Sequence, residues 1–389
     1  MDNILKGIYT ALNRNPGNDI SLIGGRAGIA LFNFAYLKYQ APGEAASDDS
    51  ILIQELAERS LEESANPSFS TGTAGINWLF SYLYKNDILA KEDWEFLSAE
   101  DSTLETTALN MLRHGNYDFL HGAMGIGYYF LYSGTHRSNR FFEEFFSLLN
   151  RLPDDSADKN MIPGFDFTLY KAVPAEVNLG FAHGISGILK FCLQCYKQGI
   201  CTSESKLLAQ SIVEYLVSKM NKDKSISYFP NRVVDGRRAD EFSRLAWCYG
   251  DLGIALTLYQ FGVLFDDVPL ADLALGILEH STGRRMESTT QVRDAGFCHG
   301  SAGLAHLYNR IWLATYKSVF KEASEHWLQK TIELAKVSYD VTEYEKYDAR
   351  NGKFETCYGL LEGSAGIGLA LLSCLTGDCS WDYCLMLND

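Results

Sequence analysis

Two short stretches have the residue types and spacing to do chemistry. Residues 297–300 read Phe-Cys-His-Gly and residues 247–250 read Trp-Cys-Tyr-Gly, so Cys248, Cys298 and His299 all stand one or two places before a glycine. Two thiolates and one imidazole are ligand types that zinc prefers, and three protein ligands with an open fourth position is the pattern of a catalytic ion rather than a structural one. Charge then narrows the task. One Zn2+ with two thiolates is neutral, so an incoming third sulfur keeps its nucleophilicity. A free thiol with a pKa of about 8.5 is only a few per cent ionised at pH 7, whereas a metal-bound one is deprotonated outright. Thiol activation fits this donor set better than water activation. The bland alternative is two buried cysteines and a core histidine.

Adding a thiolate to an electrophilic double bond leaves an enolate that must be protonated. His183, one residue before Gly184, is the expected acid, since an imidazole titrates near working pH. Asp118 stands four residues before Gly122 and would hold that imidazole. Arg244, four before Cys248, would stabilise the enolate or anchor its own segment, and Tyr249 would donate to the enolate or assist protonation. A structural Arg–Asp pair and a tyrosine packed at a helix start are the competing readings. His121 and Glu362 occupy comparable positions, and no task is assigned to them.

These residues gain meaning from a repeat. Gly-x-x-Gly followed by an apolar run begins at Gly25, Gly72, Gly122, Gly184, Gly250, Gly300 and Gly363, at intervals of 47, 50, 62, 66, 50 and 63 residues. A single match means nothing; seven in series describe an architecture. The run after each pair is apolar on nearly every face and reads as a helix buried all round. The stretches between, such as ILIQELAERSLEES and HWLQKTIELAKVSY, are amphipathic and suit helices with one wet side. Each repeat is therefore one outer and one inner helix, with the glycines expected to relieve crowding between inner helices. Seven such hairpins form an open solenoid or a closed ring. Closure is favoured, because fully apolar inner helices need neighbours on both sides. The fold expected is an all-α, α/α toroid of seven inner and seven outer helices, as a single domain over residues 1–389. Hairpin-like insertions are expected in KSISYFPNRVVDGRRADEF and EYEKYDARNGKFETCYGL. The residues one and two places before each first glycine then share one end of the ring, and three of the 8 histidines and two of the 9 cysteines fall there.

The remaining cysteines invite plainer readings. Cys192 and Cys195 form a C-x-x-C inside an inner helix and read as core; Cys201 reads as a surface-loop thiol; Cys357, Cys374, Cys379 and Cys384 show no ligand partner. The formal net charge of −15 argues against nucleic acid as a partner, because phosphate binding rests on clustered Lys and Arg. The N-terminus lacks the layout of a secretion signal, and the longest mostly apolar stretch, Leu252 to Phe265, is too short to span a bilayer. A cytoplasmic location, where thiols stay reduced, is expected.

RLAWCYGDLGI, FCHGSAGLAH, LGFAHGISGI and LLEGSAGIGLALL together resemble the lanthionine synthetase C-like (LanC-like) family, the cyclases of lantibiotic biosynthesis. The likeness covers essentially the whole chain. It implies an α/α toroid, with Cys248, Cys298 and His299 as ligands of one zinc ion, His183 as acid–base histidine, Asp118 as its acidic neighbour, and Arg244 and Tyr249 as the active-site Arg and Tyr. The implied reaction is Michael addition of peptide cysteine thiols to dehydroalanine or dehydrobutyrine, closing thioether rings in a dehydrated precursor of leader plus core. A lanthipeptide dehydratase and an exporter are the implied partners. Some bacterial cyclases of the family carry an inserted domain, for which the interval between Gly72 and Gly122 leaves no room. One rival keeps the chemistry and joins glutathione to dehydroamino acids in proteins. A second makes the chain a zinc-stabilised, non-catalytic peptide-binding scaffold. Toroidal glycosidases and prenyltransferases fit less well: the former need two opposed carboxylates, the latter an Asp–Cys–His ligand set.

Overall fold

The computed structural model describes residues 1–41, 50–62, 66–98, 101–134, 139–156, 161–240 and 242–388. In chain order the helices are α1 (Asp2–Arg14), α2 (Arg26–Gln40), α3 (Ser50–Glu62), α4 (Thr73–Lys85), α5 (Lys91–Leu97), α6 (Asp101–Arg113), α7 (Ala123–Ser133) and α8 (Asn139–Leu149). They continue with α9 (Ile185–Lys197), α10 (Thr202–Ser218), α11 (Asp251–Leu264), α12 (Val268–Ser281), α13 (Glu287–Thr290), α14 (Ser301–Thr315), α15 (Ser318–Glu333) and α16 (Ser364–Thr376). The strands are β1 (Gly164–Asp166), β2 (Lys171–Val173), β3 (Glu176–Asn178), β4 (Arg232–Val234), β5 (Arg237–Arg238), β6 (Lys336–Ser338), β7 (Val341–Glu343), β8 (Glu345–Asp348) and β9 (Lys353–Thr356).

The chain divides into two compact units. One comprises Met1–Asn66, Ser70–Leu97 and Met286–Asn388, and the other is built chiefly on Ser98–Arg285. In the first, α14 packs against α15 and α16, α16 against α2, and α1 lies on α16 and β7. In the second, α6 packs on α7, α9 on α10 and α11 on α12, with α9 also touching α7 and α11.

Seven helices, α2, α4, α7, α9, α11, α14 and α16, each start one residue after the first glycine of a Gly-x-x-Gly pair, and that glycine is the N-cap. They are buried without a wet face: every residue from Ser364 to Ser373 of α16 is buried, as is every residue from Asp251 to Leu258 of α11. The outer helices bury one stripe only. In α1 it is Leu5, Ile8, Ala11 and Leu12, and in α10 Leu208, Ala209, Ile212, Val213 and Leu216, the spacing of a single helical face. Among the described residues α1, α3, α6, α8, α10, α12 and α15 play this outer part.

The two expected hairpins form. β4 pairs with β5 around Asp235–Gly236, both at positive φ, and β8 pairs with β9. Sequence patterning missed three further features. β3 adds to β4 to make a three-stranded sheet, and β1–β2 and β6–β7 are extra hairpins. α15 stops at Glu333, so the Lys-Val-Ser that looked like its continuation is the strand β6.

The glycines do more local work than relieving crowding between helices. A Cβ at Gly303 or Gly366 would fall on the carbonyl oxygen of the residue six before it, Phe297 or Leu360, in the same repeat. Crowding from a neighbouring repeat contributes too: a Cβ at Gly253 would meet Phe181 Cβ at 2.9 Å. The loop before each inner helix is thus folded tightly onto the helix start. The residue six before the first glycine closes it with its carbonyl, accepting from the first helical N–H: Asp19 from Arg26 at 2.8 Å, Asn66 from Thr73 at 2.8 Å, Asp294 from Ser301 at 3.0 Å, Cys357 from Ser364 at 2.9 Å.

Gly250 departs from its six counterparts. Its φ of 84° and ψ of −164° lie in a region open essentially to glycine, whereas the others are extended at negative φ. A Cβ there would also strike the carbonyl of Arg244. Gly250→Ala is expected to lower stability by about 1–3 kcal/mol from the backbone alone, read as a fall in the urea midpoint at unchanged m-value.

Candidate active site

The tight loops present the two residues before each glycine at the same end of the inner helices, and backbone bonds tie neighbouring loops together there. Cys298 N–H donates to Leu361 O at 2.8 Å, Leu360 N–H to Ile23 O at 2.7 Å, Ile23 N–H to Ser70 O at 3.0 Å, and Phe181 N–H to Cys248 O at 2.9 Å. Segments 47 to 337 positions apart in sequence are joined by these bonds rather than by local propensity.

Cys248 is buried, and Cys298 and His299 are half-buried. Cys298 and His299 adjoin in the chain, immediately before Gly300. A tetrahedral zinc with Zn–S near 2.3 Å and Zn–N near 2.0–2.1 Å spaces its ligand atoms about 3.5–3.8 Å apart. Two thiolates and one imidazole are donor chemistry that fits such an ion.

His183 and Asp118 form a second group. His183 Nδ1 donates to Asp118 Oδ2 at 2.6 Å, and the other carboxylate oxygen of Asp118 accepts the His121 backbone N–H at 2.7 Å. Asp118 is 1% exposed, so it is a fixed acceptor, while the His183 side chain keeps 25% of its surface open. Burial pulls the His183 pKa down, but the Asp118 charge, its hydrogen bond and the nearby Cys248 together outweigh it and leave the imidazole raised above its ordinary value. With Nδ1 committed to the carboxylate, Nε2 is the nitrogen that exchanges a proton with anything entering the site.

Tyr249 lies beside this pair, its ring centroid 6.3 Å from that of His183. Its hydroxyl accepts from Asn178 Nδ2 at 3.1 Å, which leaves the phenolic proton available for donation. Gly180 makes room for the ring, since a Cβ there would sit 2.7 Å from Tyr249 Cδ1. Arg244 is half-buried, and among the described residues its guanidinium has no hydrogen-bonded or ionic partner. Among the described residues no structural Arg–Asp pair forms at Arg244.

The model of the lanthionine synthetase C-like protein family matches residues 16–386. The chain belongs to that family. The nisin biosynthesis protein NisC of Lactococcus lactis subsp. lactis is 27% identical over 172 residues, a segment that spans 40% of this chain and 39% of NisC. The solved structure of a nisin cyclase superposes with a TM-score of 0.72 at 20% identity, covering 99% of this chain and 96% of that one. The shared fold is the α/α toroid, with small antiparallel strand pairs added.

In this LanC-like chain two sequence readings need correction or extension. Cys379, read as having no ligand partner, stands with His306 and Asp382, one donor atom of each within 4.8 Å of the others. The Asp382 oxygens are already engaged there, by His306 Nε2 at 2.6 Å and by Arg310 Nη1 at 3.1 and 3.2 Å, and burial pushes the Cys379 thiol up to about 12. That cluster fastens the 3-10 turn Ser380–Leu385 to α14. Glu362 pairs with Lys346 Nζ at 3.0 Å, a partner sixteen residues earlier that spacing alone does not suggest. Cys192 and Cys195 lie fully buried in α9, as core residues should, and Cys201 is half-buried at the start of α10.

Asn178 was not anticipated, although a signal for it existed. Asp19, Asn66, Asn116, Asn178 and Asp294 all stand six places before a first glycine. In four of these repeats the side chain accepts the backbone N–H two residues on: Asp19 from Ser21, Asn116 from Asp118, Asn178 from Gly180 and Asp294 from Gly296, at 2.8–3.3 Å. Arg244 takes that place in the fifth repeat. It cannot accept such a bond, and the fifth loop is the one whose glycine has the unusual φ.

Proposed function

We propose that this protein is a zinc-dependent lanthionine cyclase. It adds peptide cysteine thiols to dehydroalanine or dehydrobutyrine and so closes thioether rings in a dehydrated precursor peptide. The observation that carries the reading is the His183–Asp118 pair at 2.6 Å, in a chain of the LanC-like family that also carries the zinc donors Cys248, Cys298 and His299. In this reading residues 1–389 act as a single domain, working in the cytoplasm beside a dehydratase and an exporter. Among the described residues no helix is long and apolar enough to cross a membrane.

Cys248, Cys298 and His299 would hold the zinc ion. When bound, the ion supplies the positive charge that keeps a substrate thiol deprotonated at neutral pH. The sulfur lone pair then forms the C–S bond at the β-carbon, and the π electrons move through the α-carbon onto the carbonyl oxygen. Arg244, with its free guanidinium, and Tyr249, with its available phenolic proton, stabilise the charge that develops on that oxygen. His183 delivers a proton from Nε2 to the α-carbon, and Asp118, fixed on Nδ1, stabilises the imidazolium that makes this possible. The proton lost by the thiol balances the one gained by carbon, so no other reactant is consumed.

The test is direct. Purified protein is incubated with a dehydrated cysteine-containing peptide, with and without glutathione, and remaining thiols are alkylated before mass spectrometry. Protection of the peptide's own cysteines without a change in mass is expected. A glutathione adduct in place of ring closure would favour the first rival, and metal binding with neither product would favour the scaffold.

A further inference from the structure

The hairpin β1–β2 is an insertion in the fourth repeat, and its tip spends its side chains unusually. Strands β1 and β2 pair from Gly164↔Val173 to Asp166↔Lys171, leaving residues 167–170 as the turn. Three of those four are large apolar residues standing in solvent: Phe167 at 43% exposure, Leu169 at 62% and Tyr170 at 50%. A turn usually carries Gly, Asn, Asp or Pro, because polar and flexible residues suit bent, wet backbone. Here the tip is nevertheless held in one shape. Asp166 Oδ1 accepts the backbone N–H groups of Thr168 at 2.8 Å and Leu169 at 3.0 Å, and Tyr170 takes a positive φ of 49° to close the turn. Phe165 packs edge-on against both Phe167 and Tyr170, with centroids 5.3 Å apart in each case.

The other side of Phe167 faces the acid–base group. Its ring makes an edge contact with His121 at 5.6 Å and 74°, and another with His183 at 6.0 Å and 68°. Those two imidazoles are themselves stacked, 6.1 Å apart and 8° from parallel. A single exposed phenyl ring therefore borders the imidazole from which the proposed proton leaves, supported from behind by a rigid hairpin. Exposed aromatic area beside a reactive group is costly to leave wet and gives binding energy when covered.

We propose that Phe167 is a specificity-determining residue: together with Leu169 it forms an apolar ledge that receives the residue flanking the dehydroamino acid of the peptide substrate and selects apolar flanks over charged ones. This rests on the cyclase reading above, which supplies a dehydrated peptide as the occupant. The occupant must approach His183 Nε2 to be protonated, and Phe167 borders that ring, so a peptide seated there lies beside the ledge.

The probe is a synthetic peptide containing dehydroalanine, with serine in place of cysteine so that no ring can close, and with either Leu or Glu next to the dehydro residue. Binding is read by fluorescence anisotropy on the zinc-loaded protein. Wild type is expected to bind the Leu peptide more tightly than the Glu peptide. Phe167→Ala is expected to weaken the Leu peptide about tenfold with little change for the Glu peptide, and Phe167→Leu to recover most of the loss. In cyclisation assays the same Ala variant should raise KM far more than it lowers kcat. Equal affinity of wild type and Phe167→Ala for the Leu peptide would overturn the proposal, as would an equal loss for both peptides, which would mean a hairpin that only supports structure. Should the expected binding pattern hold while the cysteine-containing peptide stays uncyclised, the ledge stands and the cyclase reading falls.

Discussion

Cys298→Ala is expected to reduce bound zinc from one equivalent to a small fraction and to abolish ring closure, while the far-ultraviolet helix signal stays that of the wild type. The expectation follows from the donor count. Removing one of three protein ligands leaves Cys248 and His299, too few to hold an ion that also needs a vacant position. The fold does not lean on the lost group. Cys298 is half-buried at the end of a loop whose backbone bond to Leu361 O does not involve the side chain, and α14 is capped by Gly300 and buried along its own length. Cys192→Ala is the matched control. That thiol lies in the middle of α9, where burial drives its pKa far upward, so it should change neither zinc content nor rate. Zinc by atomic absorption, circular dichroism and thiol alkylation on the same preparations decide the matter. Full activity with no bound metal would end the proposed mechanism. Loss of helix together with zinc would make the ion a structural lock instead.

The second large effect is expected at His183. Replacing it by alanine should lower kcat about 10²–10⁴-fold, the usual contribution of a positioned acid–base group, with zinc content unchanged because His183 is not among the three proposed zinc ligands. Asp118→Asn should be milder and should carry a signature in pH. In the proposed mechanism His183 acts as the acid, so activity should decline as pH rises through its pKa. Asp118 raises that pKa through its charge and its hydrogen bond to Nδ1. Removing the charge therefore moves the alkaline limb of the kcat profile to lower pH. An unmoved limb would mean that the decline belongs to some other group. A His183→Ala variant with wild-type kcat would place the proton donor elsewhere, Tyr249 being the next candidate by position.

Two side chains show how a local pattern and a three-dimensional result differ. Tyr249 was singled out because it sits between a cysteine and a glycine, which is a local fact. What makes it useful is the bond from Asn178, seventy-one residues earlier, and the absence of a side chain at Gly180. Likewise Asp118 was picked for its place before Gly122, yet its value lies in reaching His183 across sixty-five positions while its second oxygen holds the His121 backbone. Glycine was read as a spacer between helices, and the structure shows it mainly admitting the carbonyls of its own preceding loop.

Sequence alone determined the seven-fold repeat, the inner helices and the end of each helix at which reactive residues gather. It could do so because a helix start, its N-capping glycine and the apolar run that follows are all set within about a dozen neighbouring residues, and repetition multiplies a weak local signal. The tertiary structure decided the rest: which loops are joined by backbone bonds, that Cys379 belongs with His306 and Asp382, that Lys346 covers Glu362, and that a hairpin tip lays Phe167 against two imidazoles. Those outcomes depend on contacts between segments far apart in the chain, where spacing carries no information and only packing chooses the partner.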